Sequence, residues 1–272
     1  MNRIDKTLAE LHVNGKKMLS PYITAGDPEP RLTVGLMHAL VKAGADILEI
    51  GIPFSDPMAE GPVIQAAMER ALVHGITCDD VLRMVQEFRT KDSNTPVVLM
   101  GYLNPIEQYG YERFARTASL MGIDGMIIVD LPPEESHDIA PFFKAAGLHT
   151  IYLCSPTTSD ERMELIKKYA HGYLYYVSLK GVTGSNALDL LSVQAQYTRR
   201  KTQTDLPIMV GFGIKTPEMA ASVADFADGV IVGAALIEQL QKAYLEKKDG
   251  IENSVVLIKD MRCAMDKQRA TS

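Results

Sequence analysis

Tryptophan is absent from the 272 residues, and cysteine is scarce. Cys78, Cys154 and Cys263 stand far apart, with no CxxC pair and no Cys/His cluster. That excludes a disulfide scaffold and a zinc site of the spaced-cysteine kind, so no metal is expected, and it fits reduced thiols in the cytosol. No hydrophobic run approaches the length of a membrane span. The opening stretch MNRIDKTLAELHVNGKK is amphipathic and mixed in charge, without the apolar core of a secretory signal. Basic charge is in deficit. Against 34 Asp and Glu there are 28 Lys and Arg, a net charge of −6. Neither a nucleic acid nor an anionic membrane is therefore expected as a partner, and the expected location is cytoplasmic.

What is present is ordinary globular material, 46% hydrophobic and 23% charged, enough for one large core. Short apolar runs recur along the chain: MLSPYITA (18–25), DILEIGI (46–52), PVVLMGY (96–102), GMIIVD (125–130), LHTIYLC (148–154), GYLYYVS (172–178), PIMVGF (207–212) and DGVIVG (228–233). Most are continuous rather than alternating, as strands covered on both faces should be. Helix-period segments lie between them. Leu32, Leu36 and Leu40 share a stripe, as do Val81, Met84, Val85 and Phe88. Thr77 with Asp80 forms a capping-box signal, Gly44, Gly122 and Gly147 mark helix stops, and Pro141 delays or breaks a helix. The junctions KAGADILEI, LMGIDGMII and DFADGVIVG echo one another, each with small residues and an Asp just before a strand.

Eight β/α units in an undivided chain point to an α/β fold, a (β/α)₈ TIM barrel over residues 1–272 as one domain. Extra helices at 2–13 and 249–267 would close its bottom or side. An open, doubly wound sheet is the competing architecture, because alternation alone does not reveal strand order.

Chemistry concentrates after the second run. In EIGIPFSDPMAEGP (49–62), strand alternation sets Ile47, Glu49 and Gly51 on one face and Leu48 and Ile50 on the other. Glu49 then points into the barrel near its C-terminal end, where barrel enzymes keep catalytic groups. A buried glutamate satisfied by its neighbours is the plainer alternative. Pro53 and Pro57 stiffen the following loop, and Pro62 suits a first helical position. Such a loop can fold over the mouth and present Glu60 opposite Glu49; a solvated loop carboxylate is the alternative.

After the seventh run the chain reads GFGIKTPE (211–218), and after the eighth VGAALIEQL (232–240). Gly211, Gly213 and Gly233 let backbone N–H groups approach an oxyanion, and a helix starting near Ala234 adds its dipole. A phosphate site is expected there, with simple tight turns as the alternative. The loop SLKGVTGSNALDLL (178–191) has the composition of a lid, with Thr183 able to bond a carboxylate and Gly181 and Gly184 able to hinge. Lys180 offers a second reading, a Schiff-base aldolase. No histidine is assigned to catalysis.

These residues resemble one family closely, the α-subunit of tryptophan synthase, over about residues 2–245. The motifs are PYITAGDP (21–28), LEIGIPFSDPMAEGPVIQ (48–65), YLNPIEQYG (102–110), DLPPEE (130–135), GVTG (181–184) and GFGI (211–214). The resemblance implies a (β/α)₈ barrel that cleaves indole-3-glycerol phosphate to indole and glyceraldehyde 3-phosphate. It implies Glu49 as general acid and base, and Glu60 as acceptor of the indole N–H. Tyr22, Tyr102 and Tyr175 would line the indole pocket, with Tyr22 where Phe is common. Thr183 would bond the second carboxylate. Gly184, Phe212, Gly213, Gly233 and Ala234 would cradle the phosphate. The implied partner is a PLP-dependent β-subunit in an α₂β₂ complex, met by Pro53, Asp56, Asn104 and Pro132. No cofactor is expected in this chain itself.

The chain departs from the family's pattern in places. The second carboxylate is usually Asp, and Glu60 carries it ~1–1.5 Å further out. Misplacement on that scale costs roughly 10²-fold unless the loop adjusts. The usual Gly-Ser of the phosphate helix reads Gly233-Ala234, which removes a hydroxyl donor and predicts weaker phosphate binding. With both positions off-pattern, a further reading keeps the chain mainly as an activator of its β-subunit.

Overall fold

A computed structural model describes residues 1–177, 187–211, 213–246 and 250–270, the side chains at 187–189, 250, 253–254 and 268–270 excepted. Its strands are β1 (Met18–Thr24), β2 (Leu48–Gly51), β3 (Val97–Gly101), β4 (Gly125–Ile128), β5 (His149–Thr150), β6 (Tyr152–Cys154), β7 (Leu174–Val177), β8 (Ile208–Gly211) and β9 (Gly229–Val232). They pair in parallel in the order β5-β4-β3-β2-β1-β9-β8-β7-β6. From β1 to β5 and from β6 to β9 each strand neighbours the next in sequence, and β9 returns to β1, which is the order of a (β/α)₈ barrel and not of an open doubly wound sheet.

The run at 148–154, expected as one strand, is divided at Ile151. Its first half pairs with β4 and its second with β7. Ile151 still donates its N–H to Met126 O at 3.0 Å. The two halves therefore serve as the fifth stave between them.

Strand parity sorts the core. Met18, Ile47, Val98, Ile127, Ile151, Tyr173, Met209 and Ile231, one from each stave, fill the barrel interior. Their sequence neighbours, such as Leu19, Leu48, Ile50, Val97, Leu99 and Val210, pack outward against the helices. Helix Arg3–Val13 closes the bottom by placing Ile4 and Leu11 under the interior residues. Asn2 caps it and ties it down, donating to Asp124 O at 2.8 Å and Gly147 O at 2.9 Å. The C-terminal helix Gly250–Ala270 lies on the side, against helices Thr33–Lys42, Pro217–Ala224 and Ala234–Leu245.

The echoed Asp residues have one structural job. Asp46 accepts from Leu19 N, Asp124 from Val97 N and Asp228 from Ile208 N, each at 2.8 Å. Each carboxylate thus reaches back to the start of the preceding stave and satisfies a backbone N–H there. Each also takes a cation: Arg262 for Asp46, Arg3 and Arg89 for Asp124, Lys201 for Asp228. The repeated junction is a fastening at the closed end of the barrel, away from the mouth.

Local signals behave as read. Thr77 and Asp80 close a capping box on helix Cys78–Arg89. Gly44, Gly122 and Gly147 sit at φ of 108°, 90° and 73° just past helix ends. The segment holding Pro141 becomes a 3₁₀ turn, Pro133–Asp138, followed by a short, late helix, Ala140–Ala145. No helix among the described residues is long and apolar enough to cross a membrane.

Candidate active site

Glu49 lies on β2, in register with Tyr22 of β1, and faces the barrel interior with no solvent exposure. Its Oε1 accepts a hydrogen bond from Tyr173 Oη at 2.7 Å. Oε2 has no hydrogen-bond partner among the described residues. Burial pushes its pKa up to about 8; Tyr173 and Ser20 pull the other way, and Glu60 adds to the rise. At neutral pH this carboxyl is mostly protonated. Ser20 Oγ is also buried and without a hydrogen-bond partner among the described residues.

Glu60 sits at the end of the loop after β2, half-buried, its pKa pushed up to about 7 by burial. The loop is held from several sides. Ala59 donates its N–H to Tyr102 Oη at 3.1 Å, and the Phe54 ring stacks on Tyr102 at 5.1 Å between centres and 26° between planes. Glu60 N reaches Pro57 O at 3.0 Å, and Gln65 Nε2 reaches Glu60 O at 2.8 Å. Pro62 opens helix Pro62–Val73, as its position suggested. Arg70 of that helix forks onto the buried Asp27 at 2.6 and 3.0 Å. The stiff loop thereby folds over the mouth, and the Glu60 charge is felt at Glu49, Tyr22, Tyr102 and Tyr175.

The tyrosines named from the sequence gather here. Tyr22 is buried and its hydroxyl lies 3.3 Å from Thr24 Oγ1. A Cβ at Gly51 would stand 2.1 Å from that hydroxyl, so glycine at 51 makes room for it. Burial, with Glu60 next, raises the Tyr22 pKa. Burial raises that of Tyr102 to about 12, and that of Tyr175 strongly. All three rings stay protonated and act as apolar walls with hydroxyl edges. Gly211 has the same steric reason as Gly51. A Cβ there would stand 2.4 Å from Tyr175 Oη, so its first duty is to the aromatic pocket and not to an anion.

Across the mouth, β9 runs into helix Ala234–Leu245 through Gly233, with no side-chain cap. The first N–H groups of that helix are therefore left for a ligand. A Cβ at Gly233 would meet nothing closer than 3.6 Å, which leaves the approach open. Gly213 has φ 80°, a backbone that suits glycine. Ala234 is the first helical residue and half-buried. Thr183, Gly184 and Phe212 lie outside the described residues, as do Lys180 and Gly181.

The residues assigned to partner contact follow β2, β3 and β4 at the same end of the barrel, Asn104 on the helix Leu103–Tyr109 and the others on loops. Asp56 and Asn104 are exposed and Pro132 is half-buried, but Pro53 is buried within its own loop. Met58, beside Asp56, is 83% exposed. Beside the mouth a cleft of about 440 Å³ opens between β4 and β6, edged by Asp130, Pro132 and Arg162.

Ser20 and Tyr173 are the site residues that the sequence reading passed over. The same period-two count that turned Glu49 inward also turns Ser20 inward with Met18 and Tyr22, and Tyr173 inward with Tyr175.

A family model described as tryptophan synthase alpha chain matches residues 8–266. The tryptophan synthase alpha chain of Legionella pneumophila (strain Lens) is 68% identical over 266 residues, covering 98% of both chains. That of Methylococcus capsulatus (Bath) is 50% identical over 266 residues, covering 98% of this chain and all of its own. The crystal structure of tryptophan synthase subunit alpha from Legionella pneumophila str. Paris superposes with a TM-score of 0.94 at 65% identity, covering 98% of this chain and 99% of that one. A chain of Mycobacterium tuberculosis tryptophan synthase gives 0.87 at 31% identity, covering 97% of this chain and 98% of its own.

Proposed function

The chain belongs to the tryptophan synthase alpha chain family, and from that premise we propose that Glu49 and Glu60 together drive cleavage of indole-3-glycerol phosphate. The products are indole and D-glyceraldehyde 3-phosphate, which makes the chain a carbon–carbon lyase of the aldehyde-lyase type. One observation carries the assignment of roles. A fully buried carboxyl, raised by burial to about 8, feels the charge of a second, half-buried one, raised to about 7, and buried tyrosines feel that charge too.

Protonated Glu49 gives its proton to indole C3, and the ring becomes an indoleninium whose positive charge spreads to N1. Ionised Glu60 accepts the N1–H hydrogen bond and offsets that charge, in a site where low dielectric strengthens the attraction. Glu49, now a carboxylate, takes the proton from the hydroxyl on the carbon bonded to C3. The C–C bond breaks, its electron pair returns to the ring, and the hydroxyl carbon becomes the aldehyde. One proton is given and one recovered, so Glu49 ends as it began. A carboxyl tuned close to neutrality suits both halves of this cycle.

Tyr22, Tyr102 and Tyr175 wall the indole. The ester phosphate takes the N-terminus of helix Ala234–Leu245 with Gly233 and Gly213, helped by Phe212 and Gly184, while Thr183 bonds the Glu60 carboxylate. Indole then passes to a PLP-bearing β-subunit of an α₂β₂ complex in the cytoplasm, in L-tryptophan biosynthesis. Asp56, Asn104 and Pro132 belong to that contact, with Pro53 shaping the loop from beneath. The chain itself needs neither metal nor Schiff base for these steps.

The test is product analysis with the β-subunit present. Indole and triose phosphate are expected in equal amounts, with no borohydride-trapped adduct on Lys180. An adduct at Lys180, or no cleavage at all, overturns the reading.

A further inference from the structure

We propose that Ser20 is the positioning partner of Glu49, holding the carboxyl oxygen that Tyr173 leaves open in both of that carboxyl's protonation states. The proposal deepens the lyase reading and rests on it for its catalytic meaning.

Ser20 lies on β1 between Met18 and Tyr22 on the inward face, with no solvent exposure. Most of its interior neighbours are apolar, such as Met18, Ile47 and Ile231. A hydroxyl in such a place is costly unless it is bonded. Its Oγ and Glu49 Oε2 are both fully buried, and neither has a hydrogen-bond partner among the described residues. Ser20 is also the hydroxyl, after Tyr173, that draws this carboxyl toward its ionised form. Ser20 precedes Tyr22, the register partner of Glu49, by two residues on the same face of the adjacent stave.

The chemistry of the two flanking hydroxyls then divides the carboxyl. Tyr173 Oη donates to Oε1, and burial and the Glu49 charge keep the phenol protonated. Oε1 therefore receives a proton from outside in either state of Glu49, and the acid's own proton belongs on Oε2. The group beside Oε2 must accept from it when Glu49 is neutral and donate to it when Glu49 is ionised. A serine hydroxyl does both. A carboxylate oxygen has more than one lone pair, so Ser20 can donate to one while the substrate hydroxyl meets another. The other titratable groups around the carboxyl are Tyr175 beside Tyr173 on the β7 stave, Tyr22 on β1 and Glu60 from the loop.

The experiment is an infrared titration of the protonated carboxyl band of Glu49, identified by its loss in Glu49→Gln, on the folded chain without substrate. In Ser20→Ala the band is expected at higher frequency, and its disappearance is expected to move about half to one pH unit upward. Ser20→Thr restores both. Ser20→Ala also lowers kcat about three- to tenfold at unchanged KM, with the alkaline limb displaced upward. Ser20→Cys, close in volume and poorer in hydrogen bonding, moves in the same direction and serves where Ser20→Ala does not fold. A band unchanged in position and midpoint in the serine variants overturns the proposal. The titration needs no substrate, so absence of indole release would overturn the lyase reading without touching this result.

Discussion

Tyr173 Oη donates to Glu49 Oε1 over 2.7 Å, and neither side chain is exposed to solvent. A phenol from one stave thus holds the carboxyl of another across the barrel interior. The bond opposes the rise that burial imposes on the Glu49 pKa. Replacing Tyr173 by Phe keeps the ring and removes the donor. The Glu49 pKa is then expected to climb by about one further unit. The alkaline limb of kcat/KM moves up by that amount and kcat falls about tenfold. A pH–rate profile of Tyr173→Phe measures both.

The wild-type profile should itself be narrow. Glu60 must be ionised and Glu49 protonated, so activity rises as pH passes about 7 and falls as it passes about 8. The two limbs belong to the interacting pair rather than to either residue alone. Steady-state kinetics of indole release from pH 5 to 10 is the check.

Stability follows the same protons. The Glu49 pKa is raised from 4.5 to about 8, so between those values the folded chain binds a proton that the unfolded chain lacks. Its contribution is fully present below about 4.5 and is lost as pH rises through about 8. Glu60, raised to about 7, slopes the same way. Urea unfolding is expected to show a decline on the order of a few kcal/mol from pH 5 to 9, with a markedly flatter curve in Glu49→Gln.

The loop carrying Glu60 depends on Tyr102, whose hydroxyl accepts from Ala59 N and whose ring stacks on Phe54. Tyr102→Phe keeps the stack and cuts the bond. The carboxylate loses its fixed distance from the indole N–H, and kcat/KM is expected to fall about tenfold, with the fold intact by circular dichroism.

Barrel class, the inward turn of Glu49, the capping box at Thr77 and the late helix at Pro141 were all legible in the sequence. They depend on local periodicity and on residue types with narrow conformational preferences. The division of the fifth stave at Ile151 was not legible, because it arises from pairing with two different neighbours. Gly211 read as part of an anion loop, yet Tyr175 on the adjacent stave occupies the space a side chain would need. The echoed Asp residues were visible as a rhythm, but their purpose required knowing which strand precedes each in space. Pro53 was read as part of a partner contact, and its burial was not legible because local sequence does not show what packs over a loop residue.

The proton cycle at Glu49 is tested most directly by the turnover of Glu49→Gln with indole-3-glycerol phosphate, measured in the β-subunit complex. The amide keeps the size and loses both the acid and the base. The expected result is a fall in kcat of about 10³-fold with KM changed less than about threefold. Turnover within about tenfold of wild type would contradict a mechanism in which this carboxyl moves the protons.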